Sequence, residues 1–140
     1  MLIKFHFQRP ITISNRRCLK KIILKIFEDE GKFPNSIDFI FCDNNYLLEI
    51  NKAYLNHDYF TDIITFDLSP DSKIAGEIYI SVEMVRENAI QFQTSFSNEL
   101  TRVMFHGILH LCGYNDKTKI EKHLMRRMED HYLKMFHGKL

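Results

Sequence analysis

At 140 residues, with 45% hydrophobic side chains and 12 Phe, the chain is long enough for one domain with a buried core and too short for two. A formal net charge of +1 excludes a strongly basic protein that coats nucleic acid, but the charge is unevenly spread. Residues 1–30 carry seven Lys/Arg against three acids, residues 38–71 seven acids against Lys52 alone, and residues 100–140 eight Lys/Arg against four acids, a polarity that can hold an anionic ligand on one face.

Residues 2–7 alternate apolar and polar side chains, the pattern of a half-buried strand. A helix follows, with Ser14 or Asn15 as its cap, Leu19, Ile22, Ile23, Ile26 and Phe27 at helical spacing, and Gly31 with Pro34 at its end. The spacing predicts a second strand over Ile37–Phe41 and a second helix capped by Asp43 and running through Tyr46, Leu47, Ile50 and Tyr54. The β-branched stretch Thr61–Phe66 reads as a third strand, Ser69–Ser72 as a loop, and Glu77–Ile80, opened by Gly76, as a fourth strand. Ser81 caps a helix over about 82–92; further helices span about 97–112 and 118–136, the last with a Thr118–Glu121 capping box. Strands first and helices last make an α+β fold: a single domain over residues 1–140, a four-stranded mixed sheet with helices mainly on one side.

Cys18, Cys42 and Cys112 form no CxxC pair, so a reducing, cytoplasmic setting is expected rather than a disulfide framework or a zinc knuckle. No apolar run approaches the roughly 18 residues of a membrane span, and the N-terminus has no secretory pattern. Neither export nor a membrane partner is expected.

The stretch His106 to Asp116 carries the chemistry. Histidines four apart on a helix lie about 5–6 Å apart at Cβ, close enough for two imidazoles to bind one ion at about 2.0–2.1 Å each. Gly113 then stops the helix in the left-handed conformation, and the reversal brings Asp116 back as a third ligand, leaving a fourth position for water. This is a zincin-like metal helix, yet Gly107 stands where the HExxH peptidases have their glutamate base, which counts against proteolysis. Imidazole ligands favour zinc, although a His-His-Asp set also suits non-haem iron. The other histidines have plainer readings: His123, His131 and His137 exposed on or beyond the last helix, and His6 on a strand surface. His57 differs, because it sits in a polar loop ahead of a buried strand, where functional side chains gather. Cys112 is expected as a small buried residue pointing away from His110, and Met104, Met125 and Met128 as core filling.

His106, Gly107, Leu109, His110, Leu111, Gly113 and Tyr114 match a His-Gly-x-Leu-His-Leu-x-Gly-Tyr-Asp-His run. Asn51, Tyr54, Asp58, Thr61, Asp62 and Phe66 fall along an Asn-x-x-Tyr-Arg-x-x-Asp-x-x-Thr-Asp-x-x-Ser-Phe stretch. Together with Gly76-Glu77-Ile78, these segments resemble the YbeY family of bacterial rRNA maturation factors over most of the chain. The resemblance implies one Zn2+ per chain and a single-strand-specific endoribonuclease acting on rRNA precursors. It also implies a role in 3′-end maturation of 16S rRNA and in ribosome quality control, with the small ribosomal subunit as partner and no DNA substrate. Its ligands would be His106, His110 and Asp116, with His57, Asp62 and Asn115 as catalytic candidates. Lys117, Lys119, Lys122, Arg126 and Arg127 would be the phosphate contacts.

The chain departs from the pattern at Asp116, where the family has a third His, at Asn115, where it has Asp, and at Leu55, where it has Arg. The lost guanidinium, a natural bidentate partner for phosphate, opens a second reading: a non-catalytic, zinc-stabilised ribosome-assembly factor. A metallohydrolase of another substrate is a third.

Overall fold

A computed structural model of the chain describes residues 2–138. Its strands are β1 (Leu2–Phe7), β2 (Phe33–Cys42), β3 (Ile63–Asp67) and β4 (Lys73–Ser81). Its helices are α1 (Arg16–Asp29), α2 (Asn44–Leu55), α3 (Val82–Gln91), α4 (Phe96–Leu111) and α5 (Lys119–Phe136). The sheet has the order β1-β2-β4-β3, with β1, β2 and β4 parallel and β3 antiparallel to β4. It is therefore the mixed four-stranded sheet that the order of elements predicts.

The period-2 alternation of the strands sorts their side chains onto two faces. Ile37, Phe39 and Phe41 of β2, with Ile78 and Ile80 of β4, enter the main core against α1, α3, α4 and α5. On the other face, Cys42 and Ile64 pack with Leu47 of α2, and Ile50, Phe66 and Tyr79 border them. One helix on one face and four on the other gives the lopsided layering expected of this α+β pattern.

Asp43, Ser81 and Thr118 cap α2, α3 and α5, each side chain accepting from the backbone N–H three residues on, and the Thr118–Glu121 capping box is complete. Ser95 does the same for α4. The expected side-chain cap of α1 is not formed: Asn15 precedes the helix in the left-handed region (φ 56°) and makes no capping hydrogen bond. Strands β2 and β4 start earlier than their apolar runs, at Phe33 and Lys73, because parallel pairing Phe33–Lys73 and Pro34–Ile74 extends the ladder into polar sequence. An irregularity between Pro34 and Ser36 absorbs the proline.

Gly107 explains how α4 seats on the sheet. A Cβ there would lie 2.9 Å from Cγ2 of Ile78 and 3.1 Å from Cδ1 of Ile63, so glycine permits the close approach and leaves no room for the peptidase glutamate. Gly107→Ala is expected to cost about 1–3 kcal/mol by overpacking, measured as a lower urea midpoint at unchanged m-value.

Candidate metal centre

Five side chains spaced along one face of α4, Glu99, Arg102, Val103, His106 and His110, line a single cleft of about 990 Å³. After Leu111 the helix closes in a Schellman motif. The Tyr114 N–H donates to the Leu109 carbonyl and the Gly113 N–H to that of His110, both at 3.0 Å, with Gly113 at φ 104°. That reversal carries Asp116 back over the helix end, as expected. Its Oδ2 lies 3.2 Å from Nε2 of His106 and 3.5 Å from Nε2 of His110.

The two imidazoles are held by their other nitrogens. Nδ1–H of His106 donates to Oε2 of Glu129 at 2.6 Å, and Nδ1–H of His110 donates to the Tyr114 carbonyl at 2.8 Å. A carboxylate and a carbonyl can only accept. Each neutral ring therefore has its proton on Nδ1 and its lone pair on Nε2, facing Asp116. The ligand atoms of His106, His110 and Asp116 all lie within 4.8 Å of one another. An ion with bonds of about 2.0–2.1 Å in tetrahedral geometry separates its ligands by about 3.3 Å, close to the two His–Asp distances observed. The donor set and its spacing fit a borderline-soft divalent ion.

Behind the ligands lies a charged layer. Glu129 of α5, 4% exposed, accepts from Nη1 of Arg102 at 3.0 Å, and Arg102 reaches Asp130 with Nη2 at 2.7 Å. Burial alone would lower the pKa of His106, but the Glu129 hydrogen bond and charge, together with Asp116 and Asp62, outweigh it and hold His106 above its ordinary range. Burial, with His106 beside it, pushes His110 below that range. Asp62, steadied by Asn88 Nδ2 at 3.2 Å, is pushed above the ordinary carboxylate range chiefly by burial, with Glu129 and Asp116 adding to it. Burial likewise raises Glu99, which is 4% exposed.

A carboxyl group whose pKa is raised by folding holds its proton more tightly in the folded than in the unfolded chain. Its drag on stability is absent at acid pH and grows as pH rises from the ordinary carboxylate range to the raised folded value. Glu99→Gln is therefore expected to stabilise the protein by about 1 kcal/mol at neutral pH and to flatten the pH dependence of Tm across that window.

Of the residues singled out in the sequence, His57, Asp62, Lys117, Lys122 and Arg126 line the cleft with His106, His110 and Asp116. Lys119 and Arg127 are not among its lining residues. Asn115 lies in a separate shallow depression with Tyr114 and Glu121. His6, His123, His131 and His137 are exposed and Cys112 is buried, as expected; Met104 and Met125 are buried and Met128 packs against the core. Leu55 lies in the cleft wall.

Glu99, Arg102 and Glu129 were not anticipated. Arg102 and Glu99 fall four and seven residues before His106, on the same helical stripe. Glu129 interrupts the apolar stripe Met125, Tyr132 and Leu133 on α5, and a carboxylate on a core face is itself a signal.

A mixed sheet carrying a helix with two histidines, and a Schellman turn that returns a carboxylate to them beside an open cleft, define an α+β protein with a His-His-Asp group that could hold a metal ion. A family model described as endoribonuclease YbeY matches residues 5–137. The chain is 48% identical over 138 residues to an endoribonuclease YbeY of Flavobacterium psychrophilum, covering 99% of each. It is 46% identical to one of Christiangramia forsetii, covering 96% of this chain and 94% of the relative. The solution structure of a Thermotoga maritima protein superposes with a TM-score of 0.66 at 27% identity, over 99% of this chain and 91% of the other. The chain belongs to the YbeY family.

Proposed function

We propose that this protein is a zinc-dependent, single-strand-specific endoribonuclease that matures the 3′ end of 16S rRNA in precursors on the small ribosomal subunit and serves in ribosome quality control. The observation that carries the reading is the convergence of both Nε2 atoms and Asp116 Oδ2 in a cleft with a carboxylate floor and a cationic rim. Family membership supports RNA as the substrate class.

His106, His110 and Asp116 would hold the zinc, which when bound would supply Lewis-acid polarisation of a phosphoryl oxygen and a more acidic water. The chain's own residues do the rest. Lys117, Lys122 and Arg126 are exposed at the rim and hold the phosphates flanking the scissile bond. Arg126, 53% exposed and only loosely paired with Glu129 at 3.9 Å, can turn its guanidinium to a bidentate phosphate contact in a cleft where Leu55 offers none. Asp62, held above the ordinary carboxylate range and within reach of the His106 and Asp116 charges, is a lining carboxyl that can take or return a proton. His57, bonded to Tyr59, forms part of the cleft wall.

The test is cleavage of an unpaired RNA and a duplex of the same sequence by zinc-loaded protein, before and after chelation and re-addition of zinc. Cleavage confined to the unpaired strand and restored by zinc is the expected result; intact RNA under all conditions overturns the reading. Leu55, an apolar residue in the cleft wall, favours the second reading of a non-catalytic ribosome-assembly factor. In that case the zinc-loaded protein binds the small subunit and cleaves nothing.

A further inference from the structure

The cleft carries two aromatic rings that the metal chemistry does not use. Tyr59, in the loop between α2 and β3, is 57% exposed, and Phe92, at the C-terminal end of α3, is 51% exposed; both line the cleft with His106, His110 and Asp116. Exposure alone says little, since Ile90 and Ile120 are more exposed and scattered surface apolar residues are ordinary. Tyr59 and Phe92 differ in being held in place inside the site, Tyr59 against His57 and Phe92 beside the Arg126 guanidinium.

Tyr59 is fixed from two directions. Its carbonyl accepts from Nδ2 of the buried Asn51 at 3.0 Å, and its hydroxyl pairs with Nδ1 of His57 at 3.0 Å. The His57 ring stacks on it at 5.1 Å and 21°. Phe92 is anchored by its N–H to the Asn88 carbonyl at 2.9 Å, and the Arg126 guanidinium lies 6.0 Å from its ring centroid. A rigid ring beside a cation is what a nucleobase and its phosphate need together: the base stacks on the π-face while the cation meets the backbone. Bases inside a duplex are already stacked and paired, so their faces are closed to such a ring, whereas those of an unpaired strand can be splayed onto it.

We propose that Tyr59 and Phe92 form a base-stacking subsite that takes unpaired nucleobases of single-stranded RNA in the cleft that holds His106, His110 and Asp116, and that this pair sets the preference for unpaired strands. The inference rests on the endoribonuclease reading and assigns its strand specificity to two side chains, with the phosphates left to Lys117, Lys122 and Arg126.

The experiment measures binding of zinc-loaded full-length protein to a fluorescent single-stranded RNA and to the matching duplex. The variants are Tyr59→Leu, Phe92→Leu, Tyr59→Phe and Phe92→Trp, with zinc content and circular dichroism checked for each. Each Leu variant is expected to weaken single-strand binding about 5- to 150-fold, to leave the weak duplex binding unchanged and to keep its zinc. The ring-preserving variants are expected to bind within a few-fold of wild type. A 2-aminopurine in the strand is expected to change its fluorescence on saturation with wild type. Leu variants that bind the single strand like wild type, or lose both forms by the same factor, overturn the subsite while wild-type cleavage leaves the endoribonuclease reading standing. Wild type that neither binds nor cleaves RNA overturns both.

Discussion

His110→Ala is expected to lower zinc affinity more than about 100-fold, since loss of a direct ligand exceeds the penalty for losing an outer partner, and to abolish RNA cleavage. Equilibrium dialysis with elemental analysis, run beside a cleavage assay, reads both. Zinc that binds only the folded chain stabilises it by about 4 kcal/mol at a thousandfold excess over Kd, so the variant also loses the Tm increase that zinc gives wild type. Asp116→Ala is the sharper arm, because the family pattern has His at this position. Full zinc content in Asp116→Ala would remove the carboxylate from the ligand set. Wild-type affinity should fall with acid: His106 is held above the ordinary histidine range by Glu129 and its neighbours, so its proton competes with the ion first. Apparent affinity then drops up to about tenfold per pH unit for each proton that must leave.

Glu129→Ala is expected to be the most destabilising single change in the site. It strips a buried acceptor from both His106 and Arg102, leaving the guanidinium with Asp130 alone, and breaking a buried pair of this kind costs about 3–5 kcal/mol. Denaturant unfolding measures that loss. Zinc affinity should fall a further 10- to 100-fold or so, because the Nδ1 hydrogen bond that sets the tautomer and aim of His106 is gone. Glu129→Gln separates the two roles. Its amide oxygen can still accept from His106 Nδ1 and keep the ring aimed, while the charge that raises the His106 pKa disappears. In the metal-free wild type, that raised pKa contributes stability that is fully present below the unfolded-state value and is lost as pH rises through the folded value. Glu129→Gln should flatten this fall. A Glu129→Gln variant with wild-type pH dependence of unfolding would show that Glu129 does not set the His106 proton equilibrium.

Much of this site is legible in the sequence. The histidine pair, the glycine stop and the returning carboxylate are local: the eleven residues of helix and turn from His106 to Asp116, whose geometry follows from about 1.5 Å of rise per residue and one positive φ. The caps at Asp43, Ser81 and Thr118 are local in the same sense, each a side chain answering a backbone N–H three residues on. Asn15 fails as a side-chain cap because its left-handed backbone places it outside the extended conformation that Ncap residues ordinarily take. The early starts of β2 and β4 were hidden because strand ends are set by a partner's ladder, and Phe33 pairs with Lys73 across the whole intervening chain of residues 34–72.

The sequence by itself determined the α+β order of elements, the helix that carries His106 and His110, and the grouping of His106, His110 and Asp116. Each follows from contacts within a turn or two of chain, where side-chain spacing dictates geometry. Only the tertiary structure decided what surrounds that group. Glu129 reaches His106 across the packing of α5 on α4, Asp62 arrives from the edge of the sheet, and Tyr59 and Phe92 come from separate loops into one cleft. These placements depend on how the sheet and helices bury their apolar faces together, which is a property of the whole core and is encoded in no single segment.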